Sequence, residues 1–232
     1  QQLFCALSAF AGGFDLAAVR SLGFEERTLQ GLLQKSLVHG AAAVGEQRRF
    51  LLLETLRAFA GEKLQETGEE SIVQQRHATY FLTLAEDAAQ QRQGQTKLAW
   101  LLRLDADLDN LRIAFQWFRC QAPLQAVALA GALKEFWYSR GYFQEGRAWL
   151  SAALADPGAE TVATNPASDL TLVWQQARAL LSLAQLAQNQ GDYAQALAWA
   201  EASIALYRQA GDSWGVAEAL RESGWIAYGR HD

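Results

Sequence analysis

"NQGDYAQALAWAEASIALYRQAGD" runs from Asn189 to Asp212. A Gly-Asp-Tyr turn is followed by alanines at fixed offsets, and no residue in the stretch has catalytic chemistry. A similar pattern occurs earlier. "SRGYFQEGRAWLSAALA" begins at Ser139 and "NQGDYAQALAWAEASIA" at Asn189, which aligns Gly141 with Gly191, Phe143 with Tyr193, Gly146 with Ala196 and Ala153 with Ser203, an offset of 50 residues. "ALRESGWIAYGRHD" then matches "ALLSLAQLAQNQGD", pairing Leu220 with Leu180, Gly224 with Ala184 and Asp232 with Asp192, an offset of 40 residues. Each unit reads as a helix hairpin. Gly191 permits the backbone geometry between the helices, and Ala184 and Ala196 are small enough for close approach. Tyr193 packs over the turn, and Leu183, Leu197 and Leu206 fill the space between units. A lone hairpin cannot bury its apolar face, so such units stack into a solenoid with a concave surface.

The repeat period is close to the ~34 residues of a tetratricopeptide unit once "DPGAETVATNPASD", Asp156 to Asp169, is set aside as a Pro- and Gly-containing linker. Upstream, helical patterns are expected over Leu3 to Phe10, Leu16 to Leu22 and Glu25 to Gln34. Strands are expected at Leu37 to His39 and Arg49 to Leu53, with "GAAAVGEQ" as a hairpin tip, and a long helix over Glu54 to Glu66. Three helices and a hairpin make a winged helix-turn-helix. Helices continue from Ser71. Ile72, Tyr80, Phe81, Leu84 and Ala88 fall on one face, as do Trp100, Leu101 and Leu104, and Leu108, Leu111, Phe115 and Phe118. Pro123 stops or turns the helix before it. The fold class is therefore mostly α: a winged-helix module over 1–70, a helical connector over 71–122 and a tetratricopeptide-like α-solenoid over 123–232 whose third repeat is truncated.

Composition sets bounds on function. The chain has 232 residues, half of them apolar, and a net charge of −5. A nucleic-acid binder usually carries a basic surplus. The candidate recognition helix, Glu25 to Lys35, balances Glu25 and Glu26 against Arg27 and Lys35, so an internal packing role is expected and no direct nucleic-acid contact. No run of eighteen apolar residues predicts a membrane span, and "QQLFCALSAFAGGF" lacks the basic flank of a signal peptide. Cys5 and Cys120 read as small buried apolar residues rather than a disulfide, and the chain as cytoplasmic. Met is absent throughout, which suggests an excised fragment.

No catalytic or metal site is expected. His39, His77 and His231 have no His or Cys partner at ligand spacing. Asp105, Asp107 and Asp109 alternate with leucines and read as the solvated face and N-cap of a helix. "AGGF", Ala11 to Phe14, is a tight turn with no following Lys or Ser/Thr.

The candidate binding residues lie on the first helix of each hairpin, which lines the concave face in tetratricopeptide arrays. These are Glu135 and Tyr138, then Arg178, Gln185, Gln188 and Asn189, then Glu218, Arg221, Trp225 and Tyr228. A polar and aromatic inner surface suits a peptide or small molecule. Arg178 and Arg221 are the candidate anchors for an anionic group. A merely solvated face is the competing reading.

"LSAFAGGFDLAAV" (7–19), "LLQKSLV" (32–38), "RFLLLETLRAFAGEKL" (49–64), "RHATYFLTLAE" (76–86) and "WLLRLDADLDNLRIAFQW" (100–117), in that order, resemble successive landmarks of bacterial STAND-class, NB-ARC-like signalling ATPases, many of them transcriptional regulators. The resemblance implies an upstream ATP/ADP-switching domain in contact with this chain, and repeats that sense an inducer or a partner protein. It also implies a LuxR-type or other DNA-binding output domain elsewhere in the full protein. The chain itself lacks G-x-x-x-x-G-K-[ST], so no cofactor is expected within it. The Met-His-Asp triplet of related switch ATPases falls on Leu52, Leu53 and Glu54, and Leu53 cannot hydrogen-bond a phosphate. A tetratricopeptide scaffold that binds proteins without a nucleotide switch is the alternative.

Overall fold

The computed structural model describes residues 1–45, 47–91, 94–156 and 170–230. The expected linker, apart from Asp156, and the expected third turn at His231 and Asp232 lie outside the described residues. The chain is mostly helical with one small sheet. Its contacts divide it into two compact units, Gln1–Trp117 and Phe118–Asp232.

In the first unit, α1 (Gln2–Ala6) runs into a 3₁₀ turn (Leu7–Ala9), followed by β1 (Phe14–Asp15), α2 (Leu16–Ser21), α3 (Glu26–Gln34), β2 (His39–Val44), β3 (Gln47–Leu51), α4 (Glu54–Thr67), α5 (Glu70–Gln90), α6 (Gly94–Ala106) and α7 (Leu108–Gln121), which runs past the unit boundary. The sheet order is β1-β3-β2, all antiparallel, with Phe14 opposite Phe50 and Gly40 also opposite Phe50 on the other side. The hairpin is longer than expected: Gly40 to Val44 is strand, not tip. Small side chains carry little strand signal, yet their N–H and C=O groups pair with β3 as well as any others. A bulge between Ala41 and Val44 absorbs the irregularity.

The core of this unit comprises Leu3, Leu7, Phe10, Phe14, Val19, Leu22, Leu29, Phe81, Leu111 and Phe115. Two expectations about α5 and α7 are corrected. Ile72 is exposed, and the buried stripe of α5 instead runs through Val73, His77, Ala78, Phe81, Leu84 and Ala85. A histidine in that stripe masks its apolar pattern. Asp107 is buried, not solvated, because it receives a hydrogen bond of 2.7 Å from Arg49 Nη2.

In the second unit, α8 (Pro123–Ala132) begins with Pro123, whose missing N–H costs nothing at a helix start. It is followed by α9 (Lys134–Arg140), α10 (Phe143–Ala155), α11 (Leu170–Asn189), α12 (Tyr193–Gln209) and α13 (Ser213–Gly229). Helix α11 packs against α8, α10, α12 and α13, and α12 against α13. The turns after α9, α11 and α12 repeat one geometry. Gly141, Gly191 and Gly211 hold φ of 72°, 78° and 71°. The next residue's N–H returns to a carbonyl five residues back: Tyr142 to Trp137 (2.9 Å), Asp192 to Ala187 (3.0 Å) and Asp212 to Tyr207 (3.0 Å). Asp192 and Asp212 then cap the following helix through the N–H of Gln195 and Gly215. Ala184, Ala187, Ala196, Ala200 and Ile226 form one buried cluster, and Ala177, Leu181, Ile204, Tyr207 and Ala219 a second. Trp137 and Trp149 are buried and meet edge to face at 5.1 Å. Cys5 is buried, but Cys120 is exposed, contrary to expectation, because it falls on the outer face of α7.

Candidate functional site

The first unit holds an interior polar network that the sequence did not announce. Asp15 caps α2 through the Ala18 N–H (2.8 Å) and accepts from Tyr80 Oη (3.1 Å) and Arg103 Nη2 (2.9 Å). Arg49 donates to the Gly13 carbonyl (2.9 Å), the Ala106 carbonyl (3.2 Å) and Asp107 Oδ1 (2.7 Å). Asn110 joins both sides: its Nδ2 donates to the Gly13 carbonyl and its Oδ1 accepts from the Ala11 N–H, each at 2.8 Å. Thus β3, the loop at 11–15 and the α6–α7 corner are tied into one piece. Burial raises the Tyr80 hydroxyl and the Asp107 carboxyl above their ordinary pKa values. His77, edge-on to Phe10 and tilted against Phe81, is pushed down by burial to a pKa of about 4. The charges of the network have structural partners: Asp15 with Arg103, and Arg49 with Asp107. It holds the module together.

An open cleft of about 340 Å³ lies between α2, α3 and β3, lined by Leu16, Leu29, Leu33 and Phe50 together with Glu26 and Arg48. On α3, Glu26 pairs with Arg20 at 3.3 Å, so both charges face each other at the helix that would have to approach a phosphate backbone. Leu53, at the start of α4, is exposed, and Glu54 in the first turn pairs with Arg57 at 2.6 Å, which lowers its pKa.

On the second unit, the candidate groove residues occupy α9, α11 and α13. Arg178 donates to the Gly131 carbonyl (3.2 Å), and its guanidinium lies 5.5 Å from the Trp174 ring. Glu218 pairs with Lys134 at 3.3 Å, which links α13 to α9. Gln185 donates to Glu222 at 2.9 Å, and Arg221 lies 3.9 Å from the same carboxylate. Asn189 turns back to the Gln185 carbonyl at 2.7 Å, and Gln188 is half-buried. Glu135 is exposed, as is Tyr138, whose ring meets Phe143 at 6.2 Å. Trp225 and Tyr228 are exposed and meet at 6.4 Å and 89°.

The structure therefore brings Trp225 and Tyr228 together and joins Gln185 to Arg221 through Glu222. Arg178 meets the Gly131 carbonyl and the Trp174 ring, and Arg221 the Glu222 carboxylate. The sequence reading missed Lys134 and the Trp174–Arg178 contact. The i, i+4 spacing of Trp174 and Arg178 was the available signal for the latter. Among the described residues no group of three His, Cys, Asp or Glu side chains could hold a metal ion, and no helix is long and apolar enough to cross a membrane.

No protein-family model matches the chain, and no solved structure matches it. It is similar to the "Putative HTH-type transcriptional regulator Rv0890c" of Mycobacterium tuberculosis and the "Putative HTH-type transcriptional regulator Mb0914c" of Mycobacterium bovis. In each case it is 33% identical over 239 residues, covering 97% of this chain and 26% of the relative. The chain thus spans about a quarter of the length of these relatives. At that coverage the likeness extends over both units.

Proposed function

We propose that this chain is the regulatory and sensing portion of a STAND-type, ATP-dependent transcriptional regulator. Its first unit acts as a winged helix-turn-helix that packs on an upstream nucleotide-binding domain. Its second unit acts as a tetratricopeptide-like array that takes an inducer or a partner protein on the α9–α11–α13 face. The observation that carries this reading is the similarity to the two mycobacterial regulators over 97% of the chain. The repeated Gly turns and small-residue helix crossings support the array. The Arg20–Glu26 pair between α2 and α3 and the net charge of −5 favour an internal role for the first unit over DNA contact.

ATP and ADP belong to the upstream domain in this reading. The full-length protein should therefore bind ATP, and the isolated chain should give no heat with either nucleotide in calorimetry. A micromolar affinity in the isolated chain overturns the assignment. A full-length protein that binds no nucleotide favours the plain interaction scaffold. For the sensor role, Trp225→Ala and Tyr228→Ala in the full-length regulator should weaken inducer or partner binding by about 1 kcal/mol or more each, with the fold intact. Unchanged binding in both variants moves the sensor away from this face.

A further inference from the structure

The cleft between α2, α3 and β3 is built from two regular faces. On α3, Glu26, Leu29, Gln30 and Leu33 recur at the three- and four-residue spacing that puts them on one side of a helix. On β3, Arg48 and Phe50 are two apart and share a face of the strand, while Arg49 between them turns the other way into the buried network. Leu16, at the start of α2, completes the floor. Leu29 is buried, and Leu16, Leu33 and Phe50 are half-buried. Three apolar side chains thus stay partly wetted inside a concavity, and an apolar occupant would release that water.

Two observations give the occupant its chemistry. The first is aromatic. Phe10, Phe14 and Phe50 form a row, with successive ring centroids 5.1 and 6.1 Å apart. Phe10 and Phe14 are buried, whereas Phe50 keeps part of its surface open to the cleft. One more ring in the cleft would continue the row at the tilted geometry that aromatic pairs favour. The second is charge. Asp15, at the cleft wall, accepts from Tyr80 Oη and Arg103 Nη2, and Glu26 pairs with Arg20 at 3.3 Å. Arg48 is the remaining charged residue of the lining, and among the described residues it has no hydrogen bond or ion pair. The apolar floor is therefore bordered by one uncompensated guanidinium. The volume of about 340 Å³ lies near the lower end of the roughly 300–1,000 Å³ usual for small-molecule sites, which suits a molecule of one or two rings.

We propose that this cleft binds a small, free aromatic carboxylate. Its ring lies on Leu29, Leu33 and Phe50, and its carboxylate accepts hydrogen bonds from the Arg48 guanidinium, whose planar fork matches the two oxygens. The proposal concerns the first unit alone. It does not draw on the sensor role of the second, so its failure leaves that role standing.

The test is an amide NMR titration of the full chain with naphthoate and with naphthylmethanol, its uncharged counterpart. Naphthoate is expected to shift the amides of α3 and β3 saturably and to bind at least about fivefold tighter than the alcohol. Arg48→Gln should bring the two affinities together, and Leu33→Trp, which fills the cleft, should remove binding of both. Arg48 is exposed on its strand, so Arg48→Gln carries the test even if Leu33→Trp destabilises the unit. Any of four results overturns the proposal. These are no saturable shift on α3 and β3, equal affinity of acid and alcohol in the parent chain, an undiminished preference for the acid in Arg48→Gln, and shifts confined to the second unit. A short peptide ending in phenylalanine with a free carboxylate completes the series. If it binds more tightly than naphthoate, the site is one for chain ends and the proposal is likewise overturned.

Discussion

The two units are stabilised by opposite strategies. The first is tied by buried polar side chains that join segments far apart in sequence: Arg49 to Asp107, Asp15 to Arg103, Asn110 to Ala11 and Gly13. The second is tied by what its residues lack. Glycine and alanine at the helix crossings let backbones approach, and the turns between helices repeat one short hydrogen-bonding pattern. A polar network fails when one partner is removed, because the remaining charge stays buried. A small-residue contact fails when something is added. The contrast shows why one unit has a local sequence signature and the other does not.

Removal in the first unit should have the largest effect. Asp107→Ala leaves Arg49 buried with only carbonyl acceptors, and a loss of about 3–5 kcal/mol is expected in denaturant unfolding. A loss under 1 kcal/mol would mean that water reaches Arg49 and that the network does not define the unit. Addition in the second unit comes next. Ala196→Trp forces a ring into the cluster with Ala184, Ala187 and Ala200, and a cost of about 3 kcal/mol is expected. An unchanged melting temperature would break the assigned helix register.

His77 sharpens the comparison through pH. It is neutral in the fold with a pKa of about 4, whereas the unfolded chain takes up the proton near 6.5. The unfolded state thus binds more protons between those values, so stability is fully present above pH 6.5 and falls as pH drops toward 4. Between pH 7 and pH 5 the parent should lose roughly 2 kcal/mol relative to His77→Phe, at 1.36 kcal/mol per unit. Parallel pH profiles for the two proteins would show that the imidazole is hydrated. The smallest effects are a pair of opposite sign. Gly191→Ala, at φ 78°, should cost about 1 kcal/mol. Gly224→Ala, mid-helix with open space around it, should gain up to about 1 kcal/mol. Equal signs would mean that the two glycines are not used differently.

Much of the helical layout was legible because its signals are local. Pro123 begins α8, Glu54 begins α4, and Gly141 and Gly191 take the left-handed conformation that the turns require. Two of the errors share one physical cause. Asp107 was assigned to solvent, and the stripe of α5 was drawn through Ile72 rather than His77, because a polar side chain in the core is recognisable only by its partner. That partner can lie anywhere: Arg49 is 58 residues from Asp107. The candidate site divides the same way. Trp225 and Tyr228, both named among the candidate groove residues, lie 6.4 Å apart on α13. The sequence placed Arg178 and Arg221 as joint anion anchors, but Gly131, Trp174 and Glu222 sit beside them.

By itself, then, the sequence determined the helix-rich character of the chain, the turns at Gly141 and Gly191 and the periodic small residues of the second unit, since each depends on backbone preference within a few residues. Tertiary structure alone decided which charges are buried and paired in the first unit. It also decided which arginines of the second are already engaged. Those outcomes depend on contacts between distant segments, where a charge is stable only if its partner arrives and a small residue is buried only if another helix lies on it.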